Sequence, residues 1–356
     1  MYKRQPDRLL KKGIVHLPTL GDGRQSGTSE SPSILHVSPE SAVGGDLGIV
    51  RTGDKMKIDL NKRRVDLLIS QSEFKKRRKN KKLFKANNQT PWQEIFRDLN
   101  GKLKIIAQVG VGYDNISVKS AESKKIKVTN TPNVLNEAVA ETTILLILAA
   151  SRRIGEAYNL VRSGKWKDQK PDLTKFMIGN SVTGKTLGII GMGRIGRMAA
   201  KCAKTFGMKI IYYNRNKLSE DLEDGAKYFS DINSMMPECD FVSIHTPATA
   251  ETKHILNAST IKLLPKHAVV INTSRGSTID DDALIEALQN NKIYAAGLDV
   301  FNNEPNLDER YMKLDNCFVL PHVGSATHET RLAMSMMAVD NICNYFENKP
   351  LISEVI

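Results

Sequence analysis

The chain predicts an α/β protein built on a doubly wound parallel sheet, and two observations predict it. Residues 186–196 read TLGIIGMGRIG, an apolar run that feeds into three glycines and then a helical pattern, IGRMAAKCAKTFG. From about residue 101 onward, short apolar runs alternate with helical stretches, the βαβα order of a parallel sheet covered by helices.

Taken in order, KLKIIAQVG (102–110) reads as a strand and EAVAETTILLILAASRRI (137–154) as one long buried helix. TLGII and MKIIYYN are strands on either side of the glycine-loop helix. FVSIH (241–245), AVVINTS (268–274), AAGLDVF (295–301) and CFVLP (317–321) are four more, separated by helical stretches such as DDDALIEALQNN. Ligands of such sheets bind where the strands run out at their carboxyl ends.

The glycines carry the first chemical reading. G-x-G-x-x-G between a strand and a helix is the dinucleotide-binding fingerprint. Gly191 permits the tight turn, Gly193 lets backbone N–H groups approach a pyrophosphate, and Gly196 lets the helix pack on its strand. Arg194 and Ile195 fall in the first helical turn, at the positive end of the helix dipole.

Bulk properties narrow the class. The 356 residues suffice for two domains, and 40% apolar content with mean hydropathy −0.33 suits a soluble globular protein. No run of 18 apolar residues reads as a membrane span, and MYKRQPDRLLKKG lacks the apolar region of a secretory signal. Cys202, Cys239, Cys317 and Cys343 are widely spaced, with no CxxC, and read as reduced core residues of a cytoplasmic protein, not as metal ligands.

The net charge of +13 is uneven: residues 1–98 hold 21 Lys and Arg against 11 Asp and Glu. Eight of the eleven residues in KKRRKNKKLFK (75–85) are basic. A nucleic-acid patch is one reading; with a single aromatic and no recognisable nucleic-acid fold around it, a solvated helix or linker face is the better one. Residues 19–33 form a Gly/Ser/Thr-rich loop, and the run to residue 70 alternates short β-like segments with Gly-Asp turns. The sharpest composition shift lies near 98–101.

Three strand ends carry residue types suited to reducing a 2-oxo acid. Arg275 in INTSRG offers a planar guanidinium for bidentate carboxylate binding. His322 in VLPHVGSAT is a natural proton donor near neutral pH. Glu304 in LDVFNNEP is suited to pair with the imidazolium and keep it charged until the proton is needed. Singly, each also fits a bland role: a surface ion pair, a capping or core histidine, an ordinary turn residue. His16, His36, His254, His267 and His328 keep structural roles.

With VGVGYDNI (109–116), NTPNVLNEAVAE (130–141), LGIIGMGRIG, INTSRG, GLDVFNNEP and LPHVGSAT in this order, residues 101–348 resemble the D-isomer-specific 2-hydroxyacid dehydrogenases. The resemblance implies substrate binding for Arg275, support of the acid for Glu304 and acid/base chemistry for His322. It places Val111 and Gly112 in the loop whose N–H groups hold the substrate carboxylate. His245, Thr246, Pro247, Thr273, Asp299, His322 and Gly324 would line the cofactor cleft. It also implies a homodimer acting on a small 2-oxo acid, with no nucleic-acid or membrane partner and no metal.

The second strand ends in Asn214 and Arg215, where NAD enzymes carry an acidic residue for the ribose 2′-OH. A guanidinium attracts a 2′-phosphate that a carboxylate repels, so NADP(H) is expected over NAD(H). The YNR ending resembles the glyoxylate/hydroxypyruvate reductase branch.

The front has a different affinity. GDGRQSGTS, SILHVSPESAVGG, VRTGDKMKIDL, RRVDLLIS and QTPWQEI make residues 19–98 similar to the C-terminal part of the dihydroxy-acid and sugar-acid dehydratases. That resemblance maps the alkoxide base to Ser26, but residues 1–98 contain no cysteine for the family's iron–sulfur cluster. The expected organisation is a β-rich dehydratase-like segment at 1–98, a partial substrate domain at 99–128 with 322–356, and a dinucleotide-binding domain at 129–321. The substrate domain lacks the leading βα units of its family, so impaired turnover is expected. A dehydratase fragment, or a chimera without function, is the alternative.

Overall fold

The computed structural model describes residues 19–20, 33–34, 49–50, 54–59, 64–79, 103–169, 171–172 and 174–356. The chain divides into two compact units, Met1–Asn100 and Gly101–Ile356. In the first, Met56–Asp59 and Arg64–Leu67 pair as an antiparallel hairpin, followed by a helix over Gln71–Lys79. That helix carries the start of the basic run. Arg77 turns inward onto Asp54 at 2.5 Å and Glu73 at 2.8 Å, while Lys75, Lys76, Arg78 and Lys79 are exposed. Ser26, the QTPWQEI run and residues 80–85 lie outside the described residues.

The second unit is built on a seven-stranded parallel sheet. Its strands are β1 (Thr186–Ile190), β2 (Lys209–Tyr213), β3 (Lys227–Phe229), β4 (Phe241–Ile244), β5 (Val269–Asn272), β6 (Ala295–Leu298) and β7 (Cys317–Val319). They lie in the order β7-β6-β5-β4-β1-β2-β3. This is the doubly wound order, with its switch point between β1 and β4. The strands are apolar nearly throughout because both faces are covered.

One face of the sheet packs Ile190, Val242, Ile244, Val270 and Leu298 against Leu284, Ile285 and Leu288 of α3 (Asp281–Gln289). The other packs Leu187, Ile189, Ile210, Tyr212 and Ile271 against Ile144 and Ile147 of α1 (Asn136–Ser151) and Ala200 and Ala203 of α2 (Arg194–Thr205). The period-two alternation of each strand therefore sorts its residues between two cores.

Two local departures from the sequence expectation have physical causes. The helix expected over 137–154 stops at Ser151. Arg153 adopts a left-handed conformation at φ 55°, and a second helix runs over Ile154–Arg162. Asn180 donates its N–H to the Ser151 carbonyl at 2.8 Å, which takes the acceptor that a continuing helix would use. Strand β3 went unforeseen: it is three residues long, at the sheet edge, and follows a turn at Gly225.

A separate parallel pair, Ile105–Ala107 with Lys127–Thr129, precedes α1. The end of the chain returns to it: Val355 N–H donates to the Val128 carbonyl at 2.8 Å, and Thr129 bridges Glu354 in antiparallel sense. The last long helix, α4, spans His328–Phe346. Among the described residues, no helix is long and apolar enough to cross a membrane, and no group of His, Cys, Asp and Glu could hold a metal ion. The four cysteines are free.

Candidate active site

At the switch point the fingerprint loop meets the end of β4. Gly191 takes φ 96°, and a Cβ there would lie 2.8 Å from Thr246 Cγ2 and 2.9 Å from the His245 carbonyl carbon. Only glycine satisfies both the left-handed conformation and this contact. A Cβ on Gly196 would lie 2.4 Å from the Gly191 carbonyl oxygen, so α2 packs closely on the loop. A Cβ on Gly193 would meet nothing within 4 Å. Gly193 is the N-cap of α2 with no side-chain cap, so no side chain caps the first-turn N–H groups of α2.

The walls of this cleft are well defined. Asn214 Oδ1 accepts the Met192 N–H at 2.8 Å, tying the end of β2 to the glycine loop. Arg215 is exposed and forms no hydrogen bond or ion pair with the described residues. His245 Nε2 lies 2.8 Å from Ser243 Oγ, and burial pushes its imidazole down to about 4. Beside it the Thr246 hydroxyl is buried with no partner, and Pro247 is exposed. An orphaned hydroxyl, an uncapped helix start and an open Gly193 are what a dinucleotide would complete; the residues fit the group.

Arg275 follows β5. Its backbone is fixed by buried Asn272, whose side-chain amide donates to the Arg275 carbonyl at 2.9 Å and whose Oδ1 accepts the Ser274 N–H at 3.0 Å. The Thr273 hydroxyl lies 3.1 Å from that of Thr143 on α1. The guanidinium donates from Nε to Asp114 Oδ1 at 2.9 Å and from Nη1 to the Ser274 carbonyl at 2.8 Å. It lies so close to Gly112 that a Cβ there would be 1.8 Å from Nη2.

The loop carrying Val111 and Gly112 is held by its carbonyls. Asn130 Nδ2 donates to the Val111 carbonyl at 2.9 Å and Gln108 Nε2 to that of Gly112 at 3.2 Å. The N–H groups of Val111 and Gly112 donate to no described residue. The Val111 side chain packs with Ile195 onto Leu135, Val139 and Met334, which brings this loop to the fingerprint helix.

Glu304 and His322 meet as the sequence suggested. Glu304 Oε2 lies 2.6 Å from His322 Nδ1, and Oε1 accepts the Phe301 N–H at 2.7 Å. A carboxylate on Nδ1 assigns the proton there and leaves Nε2 for exchange with a ligand. His322 takes φ 54°. The turn that follows it is pinned by Asp299, whose two oxygens accept the Val323 and Gly324 N–H groups at 2.7 Å each. Burial pushes the Asp299 carboxyl up, against those two hydrogen bonds, which hold it down. Asp299 therefore faces the His322 turn with both oxygens in use.

Several contributors had escaped the sequence reading. Asp114, Asn130 and Gln108 sit within or beside motifs noted there; the partners of Asp114 and Asn130 lie 161 and 19 residues away, and that of Gln108 is a backbone carbonyl four residues on. Gly276 is another: a Cβ would lie 2.0 Å from the Phe301 carbonyl carbon, so the Arg275 and Glu304 loops touch backbone to backbone. Asp281 braces the second loop, accepting from Asn302 Nδ2 at 2.7 Å and Tyr311 Oη at 2.8 Å. A glycine after an arginine, in a sequence that already explains both, was the available signal.

This arrangement offers a fixed cation, two unpaired amides and a carboxylate-backed imidazole beside a dinucleotide cleft. Comparison with known proteins finds relatives for both parts of the chain. The family profile described as D-isomer specific 2-hydroxyacid dehydrogenase, NAD binding domain, matches residues 144–324, and that of the dihydroxy-acid/6-phosphogluconate dehydratase C-terminal matches residues 3–104. The glyoxylate reductase of Thermococcus litoralis is 48% identical over 242 residues, covering 68% of this chain and 73% of that protein. A crystal structure of a glyoxylate reductase from Paecilomyes thermophila is 36% identical, with TM-score 0.68, over 74% of this chain and 78% of that one. That of the NADPH-dependent glyoxylate/hydroxypyruvate reductase from Sinorhizobium meliloti, in complex with NADP and malonate, is 39% identical, with TM-score 0.67, over 73% and 79%.

Proposed function

The chain belongs to the D-isomer-specific 2-hydroxyacid dehydrogenases, NAD(P)-dependent oxidoreductases, and from that premise we propose that it reduces a small 2-oxo acid of the glyoxylate or hydroxypyruvate class with NADP(H). The observation that carries this is the 2.6 Å His322–Glu304 pair, with the Glu304 loop in backbone contact with the Arg275 loop at Gly276 and the Arg275 guanidinium against Gly112. Arg275 and the Val111 and Gly112 amides hold the substrate carboxylate. His322, oriented through Nδ1 by Glu304, gives its Nε2 proton to the oxygen that becomes the alkoxide, and Glu304 holds the proton left on Nδ1. In the reverse direction the same nitrogen accepts the proton. Asp299 is a positioning residue that fixes the turn carrying His322.

When bound, the nicotinamide supplies the hydride. The first-turn N–H groups of α2 would hold the dinucleotide's pyrophosphate, Thr246 would gain a partner, and exposed Arg215 would take the 2′-phosphate. The NADP named with the Sinorhizobium reductase supports this choice.

His322→Ala tests the mechanism. Loss of a general acid lowers turnover by about 10²–10⁴-fold with a far smaller change in KM. Near-normal turnover in this variant would remove His322 from the reaction.

Two further points belong to this reading. Ile154, Tyr158 and Val161, at helical spacing and 47–62% exposed, form an apolar face with Trp166 suited to a homodimer contact. The loop with Val111 and Gly112 leaves a sheet that has only two strands among the described residues, narrower than independent stability usually requires. Turnover of the full chain is therefore expected to fall well below that of a full-length glyoxylate reductase assayed beside it. Equal turnover would show that other parts of the chain complete the support.

A further inference from the structure

The turn between β2 and the short helix Glu220–Glu223 carries Arg215, Asn216 and Lys217, and both of its ends are tied to tyrosines. Tyr212 on β2 and Tyr228 on β3 are register partners, with ring centroids 5.3 Å apart. The Tyr228 hydroxyl donates to the Asn214 carbonyl at 3.3 Å, where the turn begins. The Tyr212 hydroxyl accepts the Leu218 N–H at 3.0 Å, where it ends. That hydroxyl in turn donates to Glu223 Oε1 at 2.6 Å.

Burial, and then Glu223, pushes the Tyr212 phenol up to about 12, so it stays protonated and keeps donating. Tyr212 is fully buried and Glu223 nearly so, which makes the arrangement part of the interior. Lys217 Nζ lies 3.6 Å from Glu223 Oε2, so the second cation of the turn is drawn towards the clamp. Arg215 is left exposed between the two anchors, without a hydrogen bond but within Coulombic reach of Glu251. The Asn214 side chain links the turn onward to the glycine loop through Met192.

A flexible turn would have to be ordered when a 2′-phosphate binds, at the cost of the backbone entropy of each residue fixed. Here two hydroxyls hold its ends beforehand. We propose that Tyr212 and Tyr228 are specificity-determining positioning residues, which fix the Asn214–Leu218 turn so that Arg215 is presented to the cofactor's 2′-phosphate. The proposal rests on the NADP(H) reading above. Both act through the turn, to whose ends their hydroxyls are bonded.

The test is calorimetric titration of the full chain with two probes that differ only at the ribose 2′ position, 2′,5′-ADP and 5′-AMP. Wild-type protein binds 2′,5′-ADP more tightly. In Tyr212→Phe, loss of one neutral hydrogen-bonding group weakens 2′,5′-ADP by about fivefold and leaves 5′-AMP within about twofold. Tyr228→Phe, which keeps the ring and loses only the longer bond, gives a smaller change of the same kind and guards against a folding defect at Tyr212. Glu223→Gln, which keeps an acceptor for the phenol, retains the preference. Equal loss on both probes in the tyrosine variants, or no loss on either, overturns the proposal while the NADP(H) reading stands. Wild-type protein with no preference for 2′,5′-ADP removes that reading and the proposal together.

Discussion

Replacing Gly112 with alanine places one methyl carbon where the Arg275 guanidinium now lies. The new Cβ would be 1.8 Å from Nη2, 2.7 Å from Cζ and 2.9 Å from Asp114 Oδ1. Carbon contacts sit near 3.5–4.0 Å, so the guanidinium must retreat by roughly 1.5 Å or more. Arg275 is the end of a flexible side chain and its side chain is 31% exposed, which lets it move at little cost to the fold. A 1 Å misplacement of a positioning group costs about 10²-fold in rate. Loss of a charge-assisted hydrogen bond, about 1.5–3 kcal/mol, gives a similar figure. Gly112→Ala should therefore lower kcat/KM for glyoxylate by about a hundredfold, while the thermal midpoint shifts by only a few degrees and NADPH affinity is unchanged. Steady-state oxidation of NADPH, a thermal melt and a cofactor titration measure the three quantities in one preparation. A kcat/KM within threefold of the parent would show that the Arg275–Gly112 contact is not where the substrate carboxylate binds.

Two other outcomes are expected. Arg215→Asp should reduce the NADPH/NADH preference by about ten- to a hundredfold, since a 2′-phosphate would meet a carboxylate in place of a guanidinium; an unaltered ratio would exclude Arg215 from cofactor choice. His245 gives a pH dependence of stability. Its imidazole is held at about 4 by burial and returns to about 6.5 on unfolding. The unfolded chain then binds more protons, so stability is full above about pH 6.5 and declines towards pH 4, by about 3 kcal/mol in all. Urea unfolding at pH 7, 5.5 and 4 should show a smaller decline in His245→Gln than in the parent. Parallel declines would assign the pH dependence to other groups.

The seven-stranded sheet was legible because each buried parallel strand is an apolar run bounded by polar helix starts, as in FVSIH and AVVINTS. The fingerprint loop was legible because its glycines have separate steric reasons, and two of them, at Gly191 and Gly196, are visible as close approaches. Strand β3 escaped because KYF lies at an edge, half exposed and too short to alternate. The break after Ser151 escaped because its cause, Asn180, lies 29 residues downstream. At the site, Arg275, Glu304 and His322 were legible as residue types at strand ends. Asp114 was not, since its ion pair with Arg275 joins loops separated by 161 residues and leaves no local pattern.

That ion pair gives ligand entry a particular physical character. Arg275 is not a bare cation awaiting its first anion; it already faces the Asp114 carboxylate at 2.9 Å. An arriving 2-oxo acid would therefore exchange one carboxylate for another, with Asp114, 43% exposed, turning to water as the substrate takes its place. The local charge count at the guanidinium is nearly conserved through such a swap. Substrate capture at this point should depend less on ionic strength than the seating of a 2′-phosphate on exposed Arg215, which holds no carboxylate in direct contact. One chain would then hold two arginine anion sites with unequal salt responses.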